Sequence, residues 1–420
     1  MIRTVLPGPR EGRAHIPGSK SRAHRLLICA ALSRQEISLA CRGISRDIEA
    51  TAACLRALGS EIDLSRDRIV LRPGNTPPCA PAVLRCGESG STLRFLLPVA
   101  GALGAEGEFI LEGRLPERPL QPLWDVLCSH GMRLRQEKER LFFSGKLQAG
   151  EYEIPGNISS QYISGLLFAL PLLEKESVLT VTGPTESADY IAMTVEALEQ
   201  TGVPLEKRER GWRIPPEGYA GGNRSLSGIA EVEADWSSAA FFLSLGALSP
   251  TGVTVCNLNL RSRQGDRRIL DLLESFGARV EIREREIHVR AGELRGQRID
   301  ASAIPDLVPV LAAVAASARG ETRIEHAERL RLKESDRLQS TTAMLSALGA
   351  EIRETGDGLL IRGKPQLRGG RVSSFHDHRI AMSAAVAAAA CREPVTVEDA
   401  ECTEKSFPGF WETLEALHIN

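Results

Sequence analysis

An internal repeat is the feature that most limits how this chain can fold. Six segments begin with a glycine or an aspartate and continue into an apolar run, as in the stretch from Asp377 into IAMSAAVAAAA. The six anchors, at intervals of 69, 69, 79, 71 and 71 residues, are Gly18, Gly87, Gly156, Asp235, Asp306 and Asp377. The longest interval separates the glycine anchors from the aspartate anchors. This pattern predicts two domains, each built from three copies of one unit.

A second series of helices lies between these anchors. Five segments have the pattern of an amphipathic helix that ends in a glycine, which adopts the left-handed conformation at little steric cost. The glycines are Gly59, Gly131, Gly202, Gly277 and Gly349. Two alternating strands follow each helix, most clearly in EIRETGDGLLIRG. One unit is therefore predicted as strand, buried helix, strand, amphipathic helix and two strands.

The last unit stops at LEALHIN, before its glycine and its two strands. An unfinished sheet needs strands from elsewhere, and residues 2–16 are the one strand-like segment left unassigned. We therefore expect the N-terminus to complete the C-terminal domain. The predicted domains are residues 1–18 with 229–420, and residues 19–228.

Composition indicates a cytoplasmic location. The 420 residues are enough for two domains, and a net charge of −2 argues against bulk attraction to nucleic acid or to a membrane. The nine cysteines include no CxxC pair, which fits a reducing compartment and argues against a zinc site. No apolar segment has the length of a bilayer span or of a signal-peptide core. We expect neither a metal nor a nucleic-acid or membrane partner.

Cations and hydroxyl groups stand at most of the buried helix starts. A cation at a helix N-terminus opposes the helix dipole, so its repeated presence favours binding of an anionic ligand over a solvated surface role. The helix-start residues are Lys20, Ser21, Arg25, Gly90, Ser91, Arg94, Ser159, Ser160, Gln161, Asp377, His378 and Arg379, and further clusters contain Arg118, Lys333, Glu334, Arg337 and Lys405. Two three-fold domains are expected to enclose a cleft that binds phosphates and carboxylates, which arginine recognises with two N–H groups at once.

Structural roles stay open for some of these residues. Asp235, Asp306 and Ser159 could each be a helix cap. The histidines His376 and His378 are expected to hold a turn, because no other histidine or cysteine lies at a metal-ligand spacing. The chain contains neither GxxxxGK[ST] nor a GxGxxG that follows a strand, so both nucleotide-binding motifs are excluded.

Nine short motifs occur along the chain: PGSKS, ESGSTLR, ERPL, SSQ, ESADY, IPD, LKESDR, HDHRIAM and CTEKSFP. In these motifs the sequence resembles the 5-enolpyruvylshikimate-3-phosphate (EPSP) synthase family of the enolpyruvyl transferase superfamily, over the whole chain. The combination of PGSKS, KESDR and DHRIAM makes the resemblance specific. It implies an α/β fold, a two-domain inside-out α/β barrel built from six βαβαββ repeats, three per domain.

The resemblance also implies a reaction and its binding residues. The enzyme would transfer the enolpyruvyl (carboxyvinyl) group of phosphoenolpyruvate to the 5-hydroxyl of shikimate 3-phosphate and release phosphate, in chorismate biosynthesis. The shikimate 3-phosphate side would be Lys20, Ser21, Arg25, Ser159, Ser160, Gln161, Ser187, Asp306 and Lys333. The phosphoenolpyruvate side would be Lys20, Gly90, Arg118, Gln161, Arg337, Arg379 and Lys405. The expected partners are these two small-molecule substrates, and the protein is expected to be a monomer.

The chemistry needs a group that accepts the hydroxyl proton and an acid that protonates the methylene carbon. Asp306 is the expected acceptor and Glu334 the expected donor, with Lys20 assisting the leaving phosphate. No cofactor is expected, because the cations already stabilise the charge that develops. Domain closure is expected to follow substrate binding, because unpaired buried charges are costly.

Three positions depart from the pattern of many relatives: Arg329 where they carry a polar residue, Ala188 where some carry Lys, and Phe95 where some carry Pro. Gly90 is retained, which leaves room for a phosphonate inhibitor such as glyphosate.

Other functions are less well supported. The UDP-N-acetylglucosamine enolpyruvyl transferases are expected to show Lys-Asn at the first motif and a loop cysteine as proton donor. Here Ser21 follows Lys20, and no cysteine lies near Arg118. A non-catalytic repeat scaffold would not explain cations at buried helix starts. An RNA end-processing protein would be expected to carry basic and aromatic patches, which this chain lacks.

Overall fold

The protein consists of two compact units. We analysed a computed structural model, which describes residues 1–33, 36–72, 81–216, 218–219 and 231–419. The C-terminal unit comprises Met1–Pro17 and Glu233–Asn420, and the N-terminal unit comprises Gly18–Val232. The boundary that the sequence predicts between residues 228 and 229 lies outside the described residues.

Helices and strands alternate along the chain. The strands are β1 (Arg3–Val5), β2 (Arg10–His15), β3 (Ile37–Ala40), β4 (Glu61–Ser65), β5 (Arg68–Arg72), β6 (Ala82–Gly87), β7 (Gly107–Leu111), β8 (Arg133–Glu137), β9 (Arg140–Ser144), β10 (Glu151–Pro155), β11 (Ser177–Thr182), β12 (Glu206–Arg208), β13 (Gly211–Ile214), β14 (Val253–Cys256), β15 (Arg279–Arg283), β16 (Glu286–Arg290), β17 (Arg298–Asp300), β18 (Glu321–Glu325), β19 (Glu351–Glu354), β20 (Leu359–Arg362), β21 (Gly370–Ser373), β22 (Val395–Glu398) and β23 (His418–Ile419). The helices are α1 (Lys20–Leu32), α2 (Arg46–Ala57), α3 (Gly90–Ala102), α4 (Leu123–Ser129), α5 (Ser160–Ala169), α6 (Ala188–Gln200), α7 (Trp236–Ala247), α8 (Ile269–Phe276), α9 (Val308–Ala315), α10 (Arg337–Ala347), α11 (His378–Ala387) and α12 (Phe410–Glu415).

The described strands form three sheets in each unit. In the N-terminal unit the strand orders are β3-β5-β4, β6-β7-β9-β8 and β10-β11-β13-β12. In the C-terminal unit they are β1-β22-β21, β15-β16-β14-β2-β23 and β17-β18-β20-β19. The predicted order of strand, helix, strand, helix and two strands is complete in the second, third and fifth repeats, where the first two strands pair in parallel.

The N-terminal segment contributes to two sheets of the C-terminal unit. Strand β1 pairs with β22 in antiparallel fashion, from Arg3 opposite Val397. Strand β2 pairs in parallel with β14, from Gly12 opposite Val253, and also pairs with β23. The N-terminal segment therefore adds β1 to the sheet of the sixth repeat and β2 to the sheet of the fourth repeat.

The five glycines that were predicted to end the amphipathic helices all have positive φ angles. The values lie between 82° and 105°, at Gly59, Gly131, Gly202, Gly277 and Gly349. A residue with a Cβ atom is strained in this region, so the turn that leads from each helix into the following strand depends on glycine. The prediction of left-handed glycines at these positions is confirmed.

The alanine-rich helices are the most buried elements. Every residue of α9 and of α11 is buried, and each unit has its own hydrophobic core. Close packing of such helices requires small residues. At Gly165 in α5, a Cβ atom would lie 2.2 Å from the carbonyl oxygen of Arg94 in α3, so only glycine fits there. Within the described ranges, no helix combines the length and the apolar character needed to cross a bilayer.

Candidate active site

The start of α1 places Lys20 beside Asp47. Ser19 caps the helix, because its side chain accepts a hydrogen bond from the backbone N–H of Arg22. The ammonium group of Lys20 lies 2.9 Å from Oδ2 of Asp47, which belongs to the first turn of α2. Only 16% of the Lys20 side chain and 7% of the Asp47 side chain are exposed, so the carboxylate holds Lys20 in a fixed position.

One turn further along α1, Arg25 is almost completely buried. Its guanidinium donates to the hydroxyl of Thr194 and to the carbonyl oxygens of Ser21 and Tyr190, at 2.8–2.9 Å. It also lies 5.1 Å from the centroid of the Phe95 ring. Burial lowers the pKa of Arg25 to about 10, which still leaves it charged at neutral pH. The cation is therefore oriented before any ligand binds.

The starts of α3 and α5 are joined by side-chain hydrogen bonds. Nη1 of Arg94 donates to Oε1 of Gln161 at 2.8 Å, and Nε2 of Gln161 donates to Ser91 at 2.9 Å. A Cβ atom on Gly90 would lie 2.9 Å from Nη1 of Arg118, so the helix start and this cation are in direct contact. The structure thus brings Gly90, Arg118 and Gln161 into one cluster.

A chain of buried hydrogen bonds runs behind these helix starts. Nδ1 of His24 lies 2.6 Å from the hydroxyl of Thr51, which lies 2.7 Å from the hydroxyl of Thr92. Thr92 in turn donates to Ser89, the cap of α3, at 2.7 Å. The hydroxyls of Thr51 and Thr92 each have both a donor and an acceptor when Nδ1 of His24 carries the proton. Nε2 is then buried without a hydrogen-bond partner. Burial accordingly lowers the pKa of His24 to about 3.

In the C-terminal unit, Arg337 is the centre of a cluster of carboxylates. It is 1% exposed and begins α10. Nη1 donates to Asp306 at 2.7 Å, Nη2 donates to Glu334 at 2.8 Å, and Nε donates to Asp377 at 2.8 Å. Burial alone would lower the pKa of Arg337, but the three carboxylates outweigh it and raise the pKa. Arg337 therefore positions both predicted catalytic carboxylates, Asp306 and Glu334.

Asp306 is surrounded by cations. Besides Arg337, Nη2 of Arg379 lies 3.2 Å from its Oδ2, and Nζ of Lys333 lies 3.9 Å from its Oδ1. Burial would raise the pKa of Asp306, but Arg379, Lys333 and Arg337 hold it well below its usual range. The carboxylate does not cap α9, whose cap position is Leu307 and has no side-chain hydrogen bond. By contrast, Asp235 and Asp377 each cap their helix through a backbone N–H.

The remaining predicted residues lie near the ends of other elements. Ser159 caps α5, Ser160 begins that helix, and Ser187 precedes α6 with a left-handed backbone, at φ 53°. Lys405 ends the 3-10 helix Ala400–Lys405 and is 6% exposed. Among the described residues, no group of three or more histidine, cysteine or acidic side chains could hold a metal ion.

The positions that depart from the family pattern have defined environments. Arg329 donates to the carbonyl oxygen of Ser302 at 2.9 Å. Phe95 is 1% exposed, and its ring lies 6.3 Å from that of His24, edge to face. Ala188 is the first residue of α6. Phe95 thus packs beneath the start of α1, and Arg329 is fixed by the backbone of a neighbouring loop.

Three residues of these clusters were not singled out from the sequence. Asp47 forms the ion pair with Lys20, and His24 begins the buried chain of hydrogen bonds. Asp266 is a buried carboxyl group next to the Asp306 cluster. An acidic residue in the first turn of a helix is a signal that could have drawn attention to Asp47. No local pattern distinguishes the other two from ordinary core residues.

Comparison with known proteins places this chain in a family. The family model described as EPSP synthase (3-phosphoshikimate 1-carboxyvinyltransferase) matches residues 6–414. The chain is 41% identical over 418 residues to the 3-phosphoshikimate 1-carboxyvinyltransferase of Clostridium perfringens, covering 98% of this chain and 97% of the relative. It is 41% identical over 417 residues to the protein of the same name from Clostridium kluyveri, covering 99% of this chain and 96% of that relative.

Solved structures agree with this result. The EPSP synthase from Acinetobacter baumannii superimposes with a TM-score of 0.78 at 26% identity, covering 100% of this chain and 99% of that chain. The enolpyruvyl transferase NikO from Streptomyces tendae shares the fold, with a TM-score of 0.80 at 17% identity, covering 100% and 97%.

Proposed function

The chain belongs to the EPSP synthase family, and we propose that the clusters around Lys20 and Arg337 bind its substrates and carry out its chemistry. The enzyme is a transferase that moves the enolpyruvyl group of phosphoenolpyruvate to shikimate 3-phosphate, in aromatic biosynthesis. The acceptor atom is the 5-hydroxyl, and phosphate is released.

The observation that carries the assignment of roles is the environment of Asp306. Three cations keep this carboxylate ionised, so it is ready to accept a proton. A strongly stabilised carboxylate is a weak base, however. Anionic substrates would draw Arg379 and Lys333 toward their own phosphate and carboxylate groups, and this would raise the proton affinity of Asp306. The base would thus become effective only once the substrates have bound.

Glu334 is the second acid of the proposed mechanism. It shares Arg337 with Asp306, at 2.8 Å and 2.7 Å, so one guanidinium orients both groups. Asp306 removes the proton of the 5-hydroxyl, while Glu334, in its protonated form, delivers its proton to the methylene carbon of phosphoenolpyruvate. The hydroxyl oxygen bonds to the phosphate-bearing carbon and forms a tetrahedral adduct that carries a methyl group. Loss of phosphate from this adduct, together with the return of one methyl proton to Glu334, regenerates the double bond. Lys20 stabilises the phosphate that leaves.

The residues proposed to bind the two substrates include some of these catalytic groups. For shikimate 3-phosphate we propose Lys20, Ser21, Arg25, Ser159, Ser160, Gln161, Ser187, Asp306 and Lys333. For phosphoenolpyruvate we propose Lys20, Gly90, Arg118, Gln161, Arg337, Arg379 and Lys405. The buried and already oriented guanidinium of Arg25 supports this assignment, because a preorganised cation loses little conformational entropy when it binds an anion.

We also propose the finer architecture and the cellular setting. The three sheets of each unit support an inside-out barrel of three repeats per domain, with domains at residues 1–18 plus 229–420 and at residues 19–228. A monomer that works in the cytoplasm, with no nucleic-acid partner, is consistent with the net charge of −2. The described cysteines are all free thiols, which fits a reducing compartment. Light scattering after size-exclusion chromatography tests whether the protein is a monomer in solution.

The decisive experiment measures phosphate release from phosphoenolpyruvate with two alternative acceptors. Release is expected with shikimate 3-phosphate and not with UDP-N-acetylglucosamine. Asp306→Asn should abolish most of the turnover, whereas Asp271→Asn, at an exposed position of α8, should not change it. Release with the UDP-sugar, or equal activity of both variants, would contradict the proposal.

A further inference from the structure

Asp266 is a buried carboxyl group that the proposed chemistry does not use. It lies in the turn Gly265–Arg268 and is 2% exposed. Its Oδ2 atom accepts a hydrogen bond from the hydroxyl of Ser237, whereas Oδ1 is buried without a hydrogen-bond partner. Burying an ionised carboxylate with an unsatisfied oxygen is costly, so this environment favours the protonated acid.

The turn that carries Asp266 is fixed against the start of α7. The side chain of Gln264 donates to the carbonyl oxygen of Ala234 at 2.9 Å and to Glu233 at 3.1 Å, and it accepts from the backbone N–H of Trp236 at 3.0 Å. These three bonds hold the turn on both sides of the helix start. Asp266 therefore cannot reach solvent when it ionises unless this local structure is disrupted.

Three charged groups face Asp266 from neighbouring elements. They are Asp235 at the cap of α7, Asp306 in the turn before α9, and Arg379 at the start of α11. Burial is the largest cause that raises the pKa of Asp266, to about 7, and the charges of Asp306 and Asp235 act in the same direction. Arg379 and the hydroxyl of Ser237 act against them. Asp266 and Asp306 thus compete for the same cation, and Asp266 keeps the proton.

We propose that Asp266 is a positioning residue whose protonation state controls how Arg379 is shared between Asp306 and the substrate. This inference rests on the proposed function, in which Arg379 binds phosphoenolpyruvate. When Asp266 is neutral, the guanidinium of Arg379 interacts with Asp306 and with the ligand. Ionised Asp266 attracts Arg379 and repels an anionic ligand. The cations on its own turn, Arg267 and Arg268, are exposed, so solvent screens their effect.

The test compares the KM for phosphoenolpyruvate of wild type, Asp266→Asn and Asp271→Asn from pH 6 to 8.5. Asparagine mimics the neutral acid and cannot ionise. The ratio of the wild-type KM to that of Asp266→Asn should rise by about fivefold or more as pH passes 7, with the ratio of kcat values nearly constant. Ionisation of the substrates affects all three proteins equally. Asp271→Asn, the same substitution at an exposed position of α8, should follow the wild type.

Two further measurements, one on a Ser237 variant and one of thermal stability, test the role of Asp266. Ser237→Ala removes the hydroxyl that stabilises the ionised form, so the rise in KM should move to higher pH. Without any substrate, the Tm of wild type should fall relative to that of Asp266→Asn between pH 5 and 8, because the raised pKa stabilises the folded state only while Asp266 is protonated. A constant Tm difference, or KM profiles that superimpose, would overturn the inference. The Tm readout does not depend on the proposed function.

Discussion

Nη1 of Arg337 lies 2.7 Å from Oδ1 of Asp306, and the same guanidinium also binds Glu334 and Asp377. One buried cation thus orients the proposed base and the proposed acid. Its charge also compensates carboxylates that would otherwise repel one another. Because all these groups are largely buried, the arrangement couples the stability of the C-terminal unit to the geometry of the proposed chemistry.

Replacing Arg337 should therefore affect stability as well as activity. In Arg337→Ala, three carboxylates lose their common partner, and removal of one member of a buried ion pair typically costs about 3–5 kcal/mol. Arg337→Lys keeps the charge but cannot bind three carboxylates with a planar fork, so an intermediate loss is expected. Denaturant unfolding measures both variants. The cluster would have no stabilising role if Arg337→Ala unfolded at the wild-type denaturant concentration.

Glu334→Gln should lose turnover while the protein stays folded. The amide keeps an oxygen that can accept from Arg337, but it cannot deliver a proton to carbon. General acid catalysis contributes about 10²–10⁴-fold, so kcat should fall within that range with a much smaller change in KM. Glu328→Gln, at an exposed position nearby, is the matched control and should retain full activity. Normal turnover in Glu334→Gln would reject Glu334 as the donor.

The parts of the fold that the sequence predicts are those with local causes. The glycines at 59, 131, 202, 277 and 349 are identifiable because the left-handed conformation after a helix excludes most other residues. The pairing of residues 2–16 with the C-terminal unit followed from the count of strands in each repeat. Buried helices could be recognised from their alanine content, since small residues permit close packing.

The parts of the candidate site that the sequence does not predict depend on contacts between distant elements. Asp47 meets Lys20 only because α2 packs beside α1. The protonation state of Asp306 depends on its distances from Arg379, Lys333 and Arg337, which no residue pattern contains. Asp266 resembles an ordinary acidic residue at a helix start until its burial is known. These features arise from tertiary packing, so they become visible only in the structure.

Gly90→Ala should weaken binding of phosphoenolpyruvate and leave the fold intact. The added methyl group would lie 2.8 Å from Nη1 of Arg94 and 2.9 Å from Nη1 of Arg118, so both guanidinium groups must move. They can, because each is the end of a flexible side chain. We expect KM for phosphoenolpyruvate to rise with an unchanged Tm, and inhibition by glyphosate to weaken more than KM rises. Equal inhibition of the two proteins would mean that Gly90 does not affect inhibitor binding.

His24 should make the N-terminal unit sensitive to acid. Its pKa is lowered to about 3 in the folded protein, against an ordinary value of 6.5, mainly by burial. The unfolded chain therefore binds a proton that the folded chain does not, and the stabilising contribution, which is present above pH 6.5, is lost as the pH falls toward 3. The loss over this interval is on the order of 4 kcal/mol, since one pKa unit corresponds to about 1.4 kcal/mol.

His24→Asn tests this effect, because its side-chain amide can still donate to Thr51 but does not titrate. The variant should be less stable than wild type at pH 7.5, since asparagine fills less of the space beside Phe95. The deficit should shrink steadily as the pH is lowered to 4, when free energies of unfolding are compared. His15→Asn, at an exposed position of β2, should show no such convergence. A deficit independent of pH would mean that the pKa of His24 is not lowered in the folded protein, so that the folded protein takes up a proton as readily as the unfolded chain.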